Sequence, residues 1–189
     1  MTRAFIAVDP STEVLRRLGD TIRMLEKKTR GFRWVRSEGI HLTLRFLGEI
    51  DEETLAAVDE RLKQLAPSCE PIPLSASGLG FFPGPEKPRI VWAGLAGGEG
   101  RLSDLQGRVH QLVEDLPVHP EKDREFTPHL TLARIPNFRA ASGVSAILQA
   151  ASEARFGEFT VDRLFLYKSR LTPEGARYTK LKEYPLGRT

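Results

Sequence analysis

The 189-residue chain predicts an α+β fold arranged as two pseudo-symmetric lobes of antiparallel sheet with flanking helices around a central groove. Three observations carry this. Strand-like stretches outnumber helical ones, and neighbouring strands look like hairpins, which excludes a strict βαβ alternation. The tetrapeptide His-Leu-Thr-Leu also occurs twice, at residues 41–44 and 129–132.

Taken in order, "AFIAV" (4–8) is a short apolar run suited to a buried strand. "EVLRRLGDTIRMLEKK" then sets Val14, Leu15, Leu18, Ile22 and Leu25 on one helical stripe. "FRWV" (32–35) and "HLTLRFL" (41–47) read as strands around the turn-like "SEG". Asp51 is placed to cap a helix carrying Leu55, Val58, Leu62 and Leu65. "IPLSASGLGFF" and "RIVWAGL" form a wide hairpin across "PGPEKP", where proline and glycine favour a turn. "RLSDLQGRVHQLVEDL" repeats the helical rhythm at Leu102, Leu105, Val109, Leu112 and Leu116, and a loop over 117–125 leads to the second His-Leu-Thr-Leu strand. Ser142 is expected to cap one further helix. "FTVDRLFLYKSRL" and "ARYTKLKEYPL" alternate apolar with polar residues across "TPEG", a closing hairpin. No linker divides the chain, so one bilobal domain over 1–189 is expected, with "GLAGGEG" (94–100) as its most flexible-looking seam.

Composition narrows the function classes. A chain that is 40% hydrophobic and 28% charged belongs with globular proteins rather than disordered or fibrous ones. A net charge of +3 permits a polyanionic partner but falls far short of a dense basic footprint. Cys69 is the single cysteine, which excludes an internal disulfide and any cysteine-based zinc site. The opening "MTRAFIAVDP" has an apolar run closed by Asp9 and Pro10, too short for a signal core or a membrane span. The expectation is a cytoplasmic protein without membrane association, an obligate protein partner or a cofactor, acting as a monomer.

The repeated tetrapeptide carries the chemistry. Period-two alternation sends His41 with Thr43, and His129 with Thr131, to one face of their strands while the leucines face the core. A single His-x-Thr is an ordinary polar strand face. Two copies on the same apolar frame suggest a duplicated lobe whose strands face each other, so that two imidazoles flank one substrate. Such a pair suits a reaction that moves two protons, one from the attacking group and one to the leaving group. The threonine hydroxyls are suited to donate hydrogen bonds to the oxygens of a phosphoryl group, whose charge grows in the transition state. No carboxylate adjoins either histidine and there is no His-x-x-x-His pair, so no metal site is expected. The residues themselves leave open which histidine is acid and which is base.

At these residues the chain resembles the two-histidine phosphoesterase superfamily, specifically its LigT-like RNA 2′,3′-cyclic phosphodiesterases, also called 2′-5′ RNA ligases. "RAFIAV", "WVRSEGIHLTLRFLGEI", "VWAGL", "EFTPHLTLAR" and "LYKSRL…GARYTKL" follow that family's pattern in order over nearly the whole chain. The resemblance implies action on RNA ends carrying a 2′,3′-cyclic phosphate, with tRNA fragments as candidates and a 2′-phosphate as product. It implies His41 as proton donor to the departing 3′-oxygen, His129 as the acceptor that activates water, and Thr43 and Thr131 holding the phosphate. Arg134 matches a phosphate-contacting position, although strict alternation would turn it away from His129; an end or a bulge of the strand near Ala133, reasonable beside Pro136, resolves this. Arg45 shares the face of His41 by alternation and is a second phosphate candidate. Trp34 and Phe126, just before the two motifs, either stack on a base or belong to the core. His110 and His119 are read as non-catalytic, and the glycines of "SGLGFFPGP" as turn formers. Three rivals remain: ATP-independent 2′-5′ ligation, hydrolysis of a small cyclic nucleotide, and an RNA-binding module without turnover.

Overall fold

A computed structural model describes residues 1–98, 100–120, 126–173 and 175–187. The chain begins with β1 (Thr2–Val8), whose alternate residues face two different interiors. Helix α1 (Thr12–Glu26) follows, started by the Ser11 side chain, which accepts a hydrogen bond from the Val14 N–H. After the two-residue strand β2 (Arg33–Trp34) and a single 3₁₀ turn come β3 (Leu42–Ile50) and α2 (Glu52–Leu65). Asp51 caps α2 as its position predicts, accepting from the Thr54 N–H at 2.8 Å. The wide hairpin is β4 (Ile72–Phe82) and β5 (Ile90–Gly97), followed by α3 (Arg101–Leu112). The second motif opens β6 (His129–Arg134), and α4 (Val144–Ala151) precedes β7 (Arg155–Val161), β8 (Arg163–Thr172) and β9 (Gly175–Pro185).

Two antiparallel sheets result, one ordered β3-β1-β8-β9 and the other β2-β6-β5-β4-β7. Each motif strand therefore lies at or next to the edge of its own sheet, and β3 and β6 touch each other. Helix α1 packs on β7 and α4 on β4, while α3 packs on β3 and α2 on β9. The helices thus cover one face of each sheet, and Ile6, Leu18, Leu44, Leu62, Leu105, Leu130 and Ile147 join one core spanning both lobes. Burying such side chains contributes roughly 1.5–3 kcal/mol each relative to exposure. Among the described residues no helix is long and apolar enough to cross a membrane.

Two local expectations fail for identifiable reasons. "FTVDRLFLYKSRL" is two strands rather than one: β7 belongs to the five-stranded sheet, β8 to the four-stranded sheet, and Asp162 is the residue between them. Alternation continues through the crossover, so it hides the change of sheet. Ser142 does not cap α4; its backbone is committed to a bridge with Arg30, and Gly143 at φ 94° holds the cap position. A Cβ at Gly143 would stand 2.3 Å from the Lys28 carbonyl oxygen, so only glycine fits. Parts of the expected loop 117–125, of "TPEG" and of "GLAGGEG" lie outside the described residues.

Candidate active site

The four-stranded sheet carries a second, smaller apolar cluster on the face away from the helices, formed by Phe5, Ala7, Phe165 and Tyr167. Phe5 and Ala7 alternate with Ala4, Ile6 and Val8, which face the main core. His41 lies on this second cluster. Its ring stacks on Phe5 at 4.7 Å and on Tyr167 at 5.6 Å, and Tyr178 meets it edge-on at 4.9 Å. Burial among these rings pushes the His41 pKa down to about 4; the Asp9 carboxylate and a hydrogen bond to the Gly39 carbonyl oppose the shift, and the Arg134 charge adds to it. That last influence comes from β6, so the two lobes bring His41 and Arg134 within electrostatic reach.

Asp9, Tyr167 and Lys180 adjoin the cluster around His41 and were not singled out by the motif. The Tyr167 hydroxyl donates to Asp9 at 2.8 Å, and Lys180 Nζ lies 2.7 Å from the same carboxylate. Burial and the Asp9 charge push the Tyr167 pKa up, which keeps it a donor. The available signal was alternation: Asp9 is two residues beyond Ala7, on the face of Phe5.

His129 sits on the corresponding face of the five-stranded sheet. Its Nδ1 is 2.7 Å from the Thr127 carbonyl oxygen, and Phe82 meets its ring edge-on at 5.0 Å. Both imidazoles are thus braced by the carbonyl two residues earlier, Gly39 for His41 and Thr127 for His129. Such a bond sets ring orientation and leaves the other nitrogen for substrate. Around His129 the floor is formed by Phe82 and Trp92, whose rings lie 5.3 Å apart. Gly80 makes room for it: a Cβ there would come within 2.2 Å of the Trp92 ring.

Thr43 is exposed and pairs with Ala7, on the face of the small aromatic cluster; Thr131 is partly buried and pairs with Trp92. Each motif then bulges at the same letter. Ala7 pairs with Thr43 and Ile6 with Arg45, leaving Leu44 extra; Trp92 pairs with Thr131 and Val91 with Ala133, leaving Leu132 extra. On β6 this returns Arg134 to the side of Thr131, since its partner Ile90 alternates with the buried Val91. On β3 the same bulge removes Arg45 from the site. Arg45 pairs with the core-facing Ile6, is 4% exposed, and donates to the His119 carbonyl oxygen at 3.0 Å. Its expected place beside His41 and Thr43 rested on unbroken alternation, and the bulge overturns it.

The two aromatic candidates are both partly buried and pack against the main core. Trp34 pairs with the fully buried Ala133, packs against the main core, and its indole N–H donates to Thr29 Oγ1 at 3.2 Å. Phe126 likewise packs, partly buried, against that core. His119 stands edge-on to Phe46 at 5.6 Å, and His110 lies in α3.

Fold and site together define a bilobal antiparallel α+β protein in which each sheet presents a backbone-braced imidazole with a threonine two residues on. The chain belongs to the LigT-like phosphoesterases, whose family model matches residues 8–92 and 96–178. It is 35% identical over 182 residues to the RNA 2′,3′-cyclic phosphodiesterase of Archaeoglobus fulgidus, covering 96% of this chain and 99% of that one. It is 37% identical over 149 residues to the protein of that name from Aeropyrum pernix, covering 79% and 83%. Among solved structures, TT0787 of Thermus thermophilus superimposes with a TM-score of 0.77 at 31% identity, covering 98% of each chain. Escherichia coli LigT complexed with 3′-AMP shares the fold, with a TM-score of 0.76 at 24% identity over 98% of each.

Proposed function

We propose that this protein is an RNA 2′,3′-cyclic phosphodiesterase that opens the cyclic phosphate by acid–base catalysis between His41 and His129. The observation that carries the reading is the repetition of one local construction: braced imidazole, threonine two residues on, bulge at the second leucine. It is supported by the family, by the names of the relatives, and by the contact between the two motif strands.

In this reaction a water oxygen attacks phosphorus and gives up a proton to one imidazole. The bond from phosphorus to O3′ breaks, and the other imidazole protonates O3′, leaving a 2′-phosphate and a 3′-hydroxyl. Thr43 and Thr131 donate to the non-bridging oxygens as their charge rises, and Arg134 adds a guanidinium suited to bidentate contact with them. In the first assignment His41 is the acid and His129 the base. His41 is neutral near pH 7 in the free protein, since its pKa is pushed down to about 4, chiefly by burial. The bound phosphate anion raises that proton affinity, and Asp9 works in the same direction. A second reading, favoured by the same low proton affinity, exchanges the roles, with neutral His41 taking the proton from water.

The test is incubation of an oligoribonucleotide ending in a 2′,3′-cyclic phosphate with the protein in EDTA, followed by identification of the product isomer. A 2′-phosphate formed at full rate is expected. A 3′-phosphate, or turnover that vanishes with chelator, overturns the reading.

A further inference from the structure

Beyond Arg134 the second sheet has one more strand, β2, and its register brings another arginine onto the site face. Arg33 pairs with Arg134, and Trp34 with Ala133. Cross-strand partners share a face, so Arg33 projects with Arg134 and away from the core against which Trp34 packs. The register is fixed from the buried side: Trp34 is tied to Thr29, and the Val35 N–H donates to the Leu132 carbonyl at 2.8 Å. His129, Thr131, Arg134 and Arg33 therefore form a line from the reacting centre to the sheet edge.

Two guanidinium groups directly opposite each other repel and weaken a strand pair. Some arginines of the chain are neutralised by carboxylates: Arg16, Arg17 and Arg23 on α1 are paired with Glu13 or Asp20, and Arg61 with Asp115. Arg33 and Arg134 are both exposed, and among the described residues neither forms an ion pair. An adjacent like-charged pair beside a phosphate site becomes favourable when polyanion lies across it.

We propose that Arg33 is a second phosphate subsite, recognising the phosphodiester one step toward the 5′ end from the nucleotide that bears the cyclic phosphate. The inference rests on the phosphodiesterase reading and deepens it: Arg134 serves the reacting phosphate, Arg33 the next along the strand. The enzyme thereby prefers an RNA end to a free cyclic nucleoside phosphate.

The test compares a nucleoside 2′,3′-cyclic phosphate having a 5′-hydroxyl with the same compound carrying a 5′-phosphate. In the wild type the 5′-phosphate is expected to raise kcat/KM by about tenfold, the scale of one charge-assisted phosphate contact. In Arg33→Ala the ratio of the two kcat/KM values is expected to fall to near one, and in Arg33→Lys to an intermediate value. On a longer oligonucleotide the Arg33→Ala substitution is expected to reduce the slope of log kcat/KM against log salt by about 0.7. A wild-type ratio of one, or a ratio unchanged in Arg33→Ala, overturns the subsite. Failure of the wild type to turn over a cyclic-phosphate-ended oligoribonucleotide as well as both compounds overturns the phosphodiesterase reading instead. The subsite is then judged by calorimetric titration of the same two ligands: a 5′-phosphate preference lost in Arg33→Ala supports it, and no preference overturns it.

Discussion

The two copies of His-Leu-Thr-Leu share a backbone but not an environment. His41 lies in a box of Phe5, Tyr167 and Tyr178 with Asp9 behind it, whereas His129 meets the edge of Phe82. Past the bulge the copies also diverge. The site-face residue is Phe46 in the first, under the Arg3 guanidinium at 4.5 Å, and Arg134 in the second. On the proposed mechanism, duplicated geometry supplies two proton-transfer positions whose surroundings differ.

The comparison breaks most visibly by removing one imidazole at a time. His41→Ala and His129→Ala are each expected to lower kcat/KM by about 10²–10⁴-fold. A substrate whose O3′ is replaced by sulfur then tells the two apart, because a thiolate leaves without being protonated. The variant lacking the acid should recover most of its activity on that substrate, and the variant lacking the base should not. Rescue of His41→Ala supports its role as donor; rescue of His129→Ala establishes the exchanged assignment. Next in size are the hydroxyls: Thr43→Val and Thr131→Val should each cost about tenfold to hundredfold in kcat with a smaller change in KM, as expected of donors that act chiefly in the transition state.

The aromatic box around His41 also predicts a stability effect. Burial lowers the folded pKa from its ordinary 6.5 to about 4, so between these values the unfolded chain binds the extra proton. Stability is then complete above about pH 6.5 and falls as the pH drops toward 4. Urea unfolding at pH 7 and pH 4.5 should show wild type losing roughly 2–3 kcal/mol more than His41→Asn, which has no such proton to bind. Equal losses in the two proteins would mean that the ring is better solvated than its neighbours imply.

Much of this was legible in the sequence. Helical stripes, the Asp51 cap and the α+β class follow from patterns within a few residues, and those patterns survive folding. The paired histidines and threonines were legible because one word is written twice. Asp9, Tyr167, Tyr178 and Phe82 were not, because their roles arise from pairings of strands distant in sequence. Asp162 shows the limit most clearly: the chain changes sheets there with no break in alternation.

The two arginines near the motifs offer the finest test of what a bulge does. Arg134 and Arg45 follow their histidines by five and four residues, and unbroken alternation would put Arg45 on the site face and Arg134 off it. One extra residue in each strand reverses both. Arg134→Met should therefore lower kcat/KM by about tenfold or more while leaving the urea midpoint nearly unchanged, since on the proposed mechanism it loses a phosphate contact and, among the described residues, no ion pair. Arg45→Met should do the opposite, lowering stability by about 1–2 kcal/mol through loss of the bond to the His119 carbonyl, with less than about threefold change in kcat/KM. A large activity loss in Arg45→Met without loss of stability would place its guanidinium on the phosphate after all, and with it would fall the reading of Phe46 as the true counterpart of Arg134.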